Sequence, residues 1–390
     1  MKNTFVKILG YFSIWRIALF LVAILAGVLI VNFGGRFPYV DRVLTVTNLP
    51  NWIWGFGNFD GVHYLRLAQN GYSAEYSQAF FPLYPMLIKL FNFLPNGNLD
   101  LSLYTDPSFF YVGIFLSNLL FVFALYFLYK LWGGEYNGKI SKLALILLLT
   151  FPTSFYFGSI YSESLFLFLT VLVFWFTNKD KFIIAGIFAA LSSATKVQGS
   201  LLFLYLLIEL IYRYKDGVLK KTEVVLKGVI SLILSLTGIA SYMFYLGKHF
   251  GNPIYFLTSQ PAFGAARSSL PIITLPQVFY RYIKMLITVN PGNISFWNSL
   301  LELTVTVVLV GVLIYSFKKI KFSYWVFVLL AVIMPTLTGT LSSMPRYALL
   351  AFPLFPLAAK FNKGFKYIII AQVLLGVILT ALFIRGYWVA

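Results

Sequence analysis

The feature that most restricts the fold of this chain is its series of long, predominantly apolar runs. Examples occupy residues 17–33, 109–131 and 224–246. Each approaches or exceeds the roughly 20 apolar residues with which an α-helix crosses a hydrocarbon core of about 30 Å. Because 60% of the residues are hydrophobic and only 11% are charged, the composition is that of a membrane protein and not that of a soluble domain.

These runs recur along the whole sequence and predict an all-α polytopic membrane protein. Lysines precede the first run and no small-residue cleavage site follows it, so the run is interpreted as a retained helix and not as a signal peptide. The chain, residues 1–390, is predicted to form a single integral membrane domain. Eleven spans are expected, several of them short, at residues 10–33, 109–131, 140–157, 161–177, 182–195, 199–213, 224–247, 293–316, 323–340, 346–359 and 367–385.

The 30 lysine and arginine residues are distributed unevenly between the two sets of loops. If the N-terminus is cytoplasmic, most of them fall in short cytoplasmic loops such as KKIKF and KFNKGFK. An excess of basic residues on the cytoplasmic side is the usual bias of membrane proteins. It predicts that residues 213–227 face the cytosol, and that two long loops, residues 34–108 and 248–292, lie on the extracytoplasmic side.

The charge and the rare residue types limit the possible partners. A net charge of +18 in cationic loops favours contact with the anionic lipid bilayer and gives no reason to expect nucleic acid. The absence of cysteine excludes disulfides and thiolate metal sites. Two histidines leave little for a histidine-based metal site, so no resident metal or other cofactor is predicted.

The first long loop contains the stretch GFGNFDGVHYLRLAQNGY, residues 55–72. Asn58 or Asp60 can cap a helix that Gly71 would end. The helix is too short to span the membrane and has separate apolar and polar faces, so it is expected to lie flat at the interface. A second short helix is expected to begin near Pro82 and Pro85.

Two interpretations of Asp60 remain open. It can act as a plain helix N-cap. It can also act as a general base, since partial burial among neighbouring aromatic residues would raise the pKa and hence the basicity of its carboxyl group.

Other polar residues near the predicted membrane surface have a functional and a structural interpretation. Glu163 is a carboxylate at the edge of a span, which is either functional or a cap. Lys196 and Arg346, expected at one membrane level, could hold a phosphate together or simply reach the interface. Gln260 and Arg267 lie in the second long loop, which an ordinary interfacial loop would also explain.

Two further glutamates fall within predicted spans. Glu209 is near a cytoplasmic end and is expected to be structural. The sequence suggests no role for Glu302.

Four strings are distinctive when they are read in order from residue 59 to residue 359: FDGVHYLRLAQNGY, AFFPLYP, YSESLF and PRYALLAFPLFPLAA. They resemble the multispanning glycosyltransferases of the GT-C superfamily, specifically the PIG-V type, which includes GPI mannosyltransferase II and its prokaryotic relatives. The first string is similar to the pattern W-D-x-x-H/W-Y-x-x-I-A-x-x-G-Y of that family. Phe59 replaces the usual Trp, and the first loop lacks the D-x-D or E-x-D pair of other GT-C branches.

The resemblance implies a GT-C-type bundle and a glycosyltransferase that uses a polyprenyl- or dolichyl-phosphate donor, with mannose as the sugar and inversion at the anomeric carbon. The implied acceptor is a lipid-linked glycan, a glycolipid or another extracytoplasmic molecule. The membrane would be the plasma membrane in a prokaryote and the endoplasmic reticulum in a eukaryote, with an extracytoplasmic or lumenal active site. The missing acidic pair leaves dependence on a divalent metal open.

In this interpretation Asp60 takes the proton from the acceptor hydroxyl, and Lys196 and Arg346 stabilise the leaving lipid phosphate. Glu163 and His63 would orient the sugar or the base, while Gln260 and Arg267 would help to close the site. The residues expected to bind substrate or donor are His63, Tyr64, Glu163, Lys196, Gln260, Arg267 and Arg346.

Two other classes of function fit a similar hydropathy pattern. A transporter or flippase of a lipid-linked sugar would show internal repeats and polar residues at the bilayer midplane. Here the polar residues are predicted to gather on one side, which argues against that class. A structural subunit without chemistry would have inert loops at Asp60 and Glu163.

Overall fold

The computed structural model describes residues 2–35, 39–93, 104–217, 222, 224–269, 272–361 and 364–389. In these residues the fold is helical, and extended pairing is limited to an isolated parallel bridge between Ile273 and Thr338. The chain divides into two compact units. The first unit contains Met1–Val171 and Phe361–Val389, and the second contains Leu172–Lys360.

The first unit combines two long helices, a medium-length helix and the C-terminal helix with the short helices of the first long loop. Its α-helices are α1 Lys2–Leu29, α2 Val40–Val43, α3 Asn51–Trp54, α4 Asp60–Asn70, α5 Leu83–Phe93, α6 Ser108–Glu135, α7 Gly138–Thr150, the start of α8 Glu163–Thr177, and the C-terminal helix Phe365–Ile384. Its 3-10 segments are Thr45–Thr47, Gly55–Gly57, Ser77–Ala79 and Ser154–Gly158.

The second unit begins inside α8 and contains the remaining helices. They are α9 Phe182–Ser193, α10 Leu202–Lys215, α11 Val229–Phe250, α12 Tyr255–Thr258, α13 Leu275–Thr288, α14 Ile294–Ser316, α15 Phe322–Thr336, α16 Met344–Tyr347 and α17 Phe355–Ala359. Its other helical segments are Val197–Leu201, Val224–Gly228, Gln260–Phe263 and Ala348–Leu354. The C-terminal helix of the first unit, Phe365–Ile384, is then α18.

All eleven predicted hydrophobic segments contain helix, and the prediction of an all-α polytopic membrane protein is confirmed. Within the described part of the chain, six helices are long and apolar enough to cross a membrane: Thr4–Leu29, Ser108–Glu135, Val197–Lys215, Leu226–Phe250, Ile294–Ser316 and Phe365–Ile384. Shorter apolar helices occupy Glu163–Thr177, Phe182–Ser193, Phe322–Thr336 and Met344–Ala359.

The predicted span at residues 346–359 is not one continuous α-helix. It consists of α16, the 3-10 segment Ala348–Leu354 and α17. Prolines lie in all three pieces, and each lacks the N–H group that would continue an α-helical ladder. This segment is buried almost throughout, so it contributes to the core of the second unit although it is irregular.

The helices predicted in the first long loop are present. Helix α4 runs from Asp60 to Asn70 and ends before Gly71, whose φ of 65° suits glycine. The apolar face of α4, which includes Val62, Leu65 and Ala68, is fully buried. Helix α5 begins at Leu83, close to the predicted start. Residues 36–38 and 94–103 of the predicted loop 34–108 lie outside the described residues, as do residues 270–271 of the loop 248–292.

The second long loop contains a helix that was not predicted, α13. Val278 and Tyr282 are buried on one of its faces, whereas Tyr280, Ile283 and Ile287 are exposed. The four-residue spacing of Val278 and Tyr282 is helical. That spacing was the signal in the sequence that could have identified the helix.

Candidate functional site

The position of Asp60 differs from the predicted one. Asp60 is the first residue of α4, and the N-cap position belongs to Phe59, whose side chain makes no capping hydrogen bond. Asn58 instead donates through Nδ2 to the backbone oxygens of Phe383 and Ile384, at 2.9 and 3.2 Å. The prediction that Asn58 or Asp60 is the N-cap is therefore wrong. The half-buried Asp60 carboxylate lies in the first turn of the helix, where the helix dipole favours a negative charge.

Phe59, directly before Asp60, has a backbone conformation that is uncommon for a residue with a large side chain. Its φ is 59° and its ψ is −113°. The Phe59 ring packs against Phe383 and Trp388, with ring centroids 5.8 and 5.1 Å apart. Aromatic packing thus holds a backbone conformation that is otherwise unfavourable, and such strain is typical of functional sites.

The YSESLF string contacts the start and the middle of α4. The Tyr161 hydroxyl donates to the Asn58 carbonyl oxygen at 2.9 Å and accepts from the Asp60 backbone N–H at 3.3 Å. The hydroxyls of Tyr64 and Ser162 are 2.9 Å apart. Two strings separated by about a hundred residues in the sequence are thereby joined by hydrogen bonds around Asp60.

Glu163 follows these residues as the first residue of α8 and is 4% exposed. Tyr84, from the AFFPLYP string, is buried, and burial raises the pKa of its hydroxyl; the hydrogen bond with Ser117 opposes the rise, and the nearby Glu163 charge adds to it. The Tyr84 and Tyr64 rings are perpendicular, with centroids 5.0 Å apart. The carboxyl group of Glu163 therefore belongs to the same part of the first unit as α4.

His63 lies one turn after Asp60 in α4 and stacks on Phe80, with ring centroids 4.6 Å apart. Burial lowers the pKa of His63 to about 4, the Asp60 charge opposes this shift and the Arg66 charge adds to it. The imidazole is therefore neutral at pH 7 and can both donate and accept a hydrogen bond.

In the second unit, Arg346 and Arg267 are attached to the same turn. Arg346 lies in α16, which follows residues 339–343 directly, and is 9% exposed. The Arg267 guanidinium donates to Ser342 Oγ at 3.5 Å, and the backbone N–H of the next residue, Ser268, donates to the Thr338 oxygen at 2.8 Å. The second long loop is thereby fastened beside the segment that carries Arg346.

The two remaining predicted residues of the second unit lie in turns. Lys196 precedes the 3-10 segment Val197–Leu201, and its backbone N–H donates to the Ser192 oxygen at 3.1 Å. This turn is tight, because a Cβ atom at Gly199 would collide with the backbone at Ser192. The Gln260 amide donates to the Phe256 oxygen at 3.1 Å and so closes the turn that follows α12.

The described residues thus form two groups, each within one unit. The first contains Asp60, His63, Tyr64 and Glu163, and the second contains Lys196, Gln260, Arg267 and Arg346. A half-buried carboxylate beside a neutral imidazole is suited to accept a proton. Buried and half-buried cations are suited to bind an anion such as a phosphate.

Sequence reasoning passed over Arg16, a cation in the middle of α1. Arg16 is 8% exposed and lies between the rings of Phe20 and Phe56, each centroid 4.3 Å from its guanidinium carbon. Its Nη1 atom occupies the space that the absent side chain of Gly158 leaves free. A charged residue inside an apolar run was the available signal.

Among the residues that the structure describes, no group of three or more histidine, aspartate or glutamate side chains could hold a metal ion.

Comparison with known proteins gives one family that covers almost the whole chain. The family described as Mannosyltransferase (PIG-V) matches residues 6–384. The GPI mannosyltransferase 2 of Drosophila pseudoobscura pseudoobscura is 30% identical over 138 residues, which are 35% of this chain and 29% of the relative. The GPI mannosyltransferase 2 of Drosophila melanogaster is 26% identical over 129 residues, which are 33% of this chain and 27% of the relative. The alignments thus cover less than a third of each curated relative.

Proposed function

The chain belongs to the PIG-V family of mannosyltransferases, and from this premise we propose that it transfers mannose or a similar hexose from a polyprenyl- or dolichyl-phosphate donor. The acceptor is a lipid-linked glycan, a glycolipid or another extracytoplasmic molecule. The observation that best supports this proposal is the attachment of Asp60 to Tyr161, next to Glu163, through the hydrogen bond at the start of α4. This hydrogen bond fixes the backbone of Asp60, so the carboxylate extends from one defined position at the start of the helix and can act at one acceptor hydroxyl.

In the proposed reaction Asp60 takes the proton of the acceptor hydroxyl. The hydroxyl oxygen attacks the anomeric carbon from the face opposite to the phosphate, and the bond between that carbon and the phosphate oxygen breaks. The electron pair of the broken bond leaves with the lipid phosphate, so the configuration inverts. Lys196 and Arg346 stabilise the negative charge of the leaving phosphate.

The other polar residues orient the reactants. Neutral His63 and the Tyr64 hydroxyl offer hydrogen bonds to the sugar or to Asp60, and Glu163 accepts hydrogen bonds from sugar hydroxyls. Gln260 and Arg267, in the second long loop, complete the donor site. A short helix at the membrane surface suits this task, because the acceptor arrives from water while the donor carbon stays at the lipid interface.

The membrane that contains the enzyme would be the plasma membrane of a prokaryote or the endoplasmic reticulum of a eukaryote, with the active site on the extracytoplasmic or lumenal side. The uneven distribution of lysine and arginine supports this orientation.

The test is a transfer assay with purified protein in lipid vesicles that contain polyprenyl-phosphate-mannose and candidate glycolipid acceptors. We expect mannose to appear on an acceptor with release of polyprenyl phosphate, both with and without a chelator of divalent ions. Movement of the intact donor across the bilayer without transfer would instead identify a flippase. If the protein shows neither transfer nor donor movement with any acceptor class, a structural subunit is favoured.

A further inference from the structure

Glu302 is a carboxylate within the spanning helix α14 and is 6% exposed. Its Oε2 atom accepts from the Tyr282 hydroxyl of α13 at 2.5 Å, and its Oε1 atom accepts from the Ser343 backbone N–H at 3.3 Å. Both carboxylate oxygens thus bind neighbouring donors. The carboxylate joins three separate segments: α14, α13 and the turn before α16.

The Tyr282 hydroxyl extends this connection to the rest of the turn. It accepts from the Leu341 backbone N–H at 3.0 Å and is 3.0 Å from Thr340 Oγ1. Burial and secondarily the Glu302 charge raise the pKa of Tyr282, so its hydroxyl stays protonated and remains the donor to the carboxylate. Arg281, also from α13, donates to the Gly339 oxygen at 3.1 Å.

The turn leads directly into the helix that carries Arg346. Ser343 is buried and has a φ of 67° and a ψ of 11°, a left-handed conformation. Its carbonyl oxygen accepts from the backbone N–H groups of Arg346 and Tyr347, both at 2.9 Å. A rotation of the turn would therefore move Arg346, and through Ser342 it would also move the contact with Arg267.

Packing alone does not account for a carboxylate at residue 302. A buried charge in a membrane protein is expensive, and an apolar side chain of similar volume would fill the same space without that cost. What a carboxylate adds is two directional acceptors, here used on a hydroxyl and on a backbone N–H.

We propose that Glu302 and Tyr282 are positioning residues that hold the turn at residues 339–343 and thereby align Arg346 and Arg267 with the donor phosphate. The inference rests on the proposed function, because it takes the lipid-linked donor to be the anion that these arginines bind. It gives Glu302, for which the sequence suggested no role, a place in donor binding without contact to the donor.

The matched variants are Glu302→Gln, Tyr282→Phe and, as a control, Glu209→Gln. Glu209 is also a buried glutamate of a spanning helix in the second unit, and it accepts from the Ser323 hydroxyl. We expect the donor KM to rise about tenfold in Glu302→Gln and in Tyr282→Phe, since a displacement of about 1 Å can reduce activity by up to 10²-fold. The acceptor KM should stay within about twofold, and Glu209→Gln should leave both KM values unchanged.

The double variant Glu302→Gln, Tyr282→Phe should raise the donor KM by less than the product of the two single effects, because the two residues share one hydrogen bond and hold the same turn. A readout independent of activity uses the natural absence of cysteine. Ser342 is 7% exposed, so a maleimide should label Ser342→Cys faster in the Glu302→Gln background than in the Glu209→Gln background.

The results that would overturn the positioning role differ from those that would overturn the proposed function. If Arg346→Lys raises the donor KM but Glu302→Gln and Tyr282→Phe do not, the positioning role of Glu302 and Tyr282 is refuted and the proposed function stands. If Arg346→Ala also leaves the donor KM unchanged, the proposed phosphate role of Arg346 is refuted. If Tyr282→Phe lowers the folded fraction while the donor KM of the folded protein is unchanged, Tyr282 is only structural.

Discussion

The two segments that carry the principal candidate residues begin in a similar way, one in each unit. Helix α4, with Asp60 at its first position, follows Phe59, and helix α16, with Arg346, follows Ser343. Phe59 has a φ of 59° and Ser343 has a φ of 67°, although neither is glycine. The difference lies in ψ, which is −113° at Phe59 and 11° at Ser343.

The two segments are also held by different forces. Apolar packing of one ring against Phe383 and Trp388 stabilises Phe59. A hydrogen bond from its backbone N–H to Glu302 stabilises Ser343, which is in the commoner left-handed region. The segment with the proposed base is thus supported by ring packing in addition to the hydrogen bonds of Tyr161, whereas hydrogen bonds support the turn before the proposed phosphate-binding arginine. Loss of one hydrogen bond should disturb the second segment more than the first.

The largest expected effect concerns the side of the membrane that the two segments face. Because the natural chain has no cysteine, single cysteines can report exposure to a membrane-impermeant maleimide. We expect Asn70→Cys, at the end of α4, and Ala262→Cys, in the second long loop, to react from the extracytoplasmic side. Asp216→Cys should react with the maleimide only after the membrane is permeabilised. If Asn70→Cys and Ala262→Cys react from opposite sides, the two segments cannot serve one active site.

The next effect is on turnover and separates the roles of the two segments. Asp60→Asn keeps the size of the side chain but removes the proton acceptor, so kcat should fall about 10²–10⁴-fold while donor binding persists. Asp60→Glu should retain little activity, because the geometry at the acceptor hydroxyl is tight. Steady-state kinetics with both substrates and a donor-binding assay provide the measurement.

The control for this experiment is Asp41→Asn, the same chemical change at an exposed residue of α2 in the same loop. It should turn over at the normal rate. Near-normal turnover by well-folded Asp60→Asn would exclude Asp60 as the base and leave Glu163 as the next candidate.

The periodicity of the sequence was sufficient to predict the first of these segments but not the second. Gly71 and the apolar face of α4 indicated a short helix after Asp60, and the structure has that helix. The start of the helix was predicted less well, because an aspartate before an apolar pattern usually indicates an N-cap. The contact with Phe383 that places Phe59 there joins residues more than 300 positions apart, which local patterns do not report.

The second segment was predicted as part of a span because residues 346–359 are apolar. Hydropathy cannot show whether a lipid-length helix or a buried, broken segment results, although prolines disfavour a regular helix. Glu302 and Tyr282 could not be paired from the sequence, since their contact depends on how α13 folds against α14. Long-range polar contacts of this kind need the tertiary structure.

A substitution pair can compare the backbone strain at the two positions. Phe59→Gly and Phe59→Ala both remove the ring, so the difference in their stability reports the backbone alone. We expect the Phe59→Gly protein to be more stable than the Phe59→Ala protein by up to about 3 kcal/mol. The Ser343→Gly protein should be more stable than the Ser343→Ala protein by about 1–2 kcal/mol. Thermal unfolding in detergent or denaturant titration gives the comparison.

Lys284, exposed in the interior of α13, provides the reference for an ordinary helical position. There, the Lys284→Ala protein should be more stable than the Lys284→Gly protein by about 1 kcal/mol. If alanine is also the more stable residue at position 59, the Phe59 backbone is not strained, and the proposed difference between the two segments fails.

The smallest expected effect is a dependence on pH that belongs to the first segment. The pKa of His63, lowered to about 4 chiefly by burial, is below the value of about 6.5 expected in the unfolded chain. The unfolded state therefore binds the proton more tightly, so the contribution of His63 to stability is complete above pH 6.5 and is lost as the pH falls from 6.5 to 4. The natural protein should lose about 1–2 kcal/mol from this group between pH 7 and pH 5. His63→Gln, which cannot take up that proton, should lose correspondingly less stability over the same range. The measurement is the melting temperature of both proteins at several pH values, and equal losses would show that His63 is protonated as readily in the folded chain as in the unfolded one.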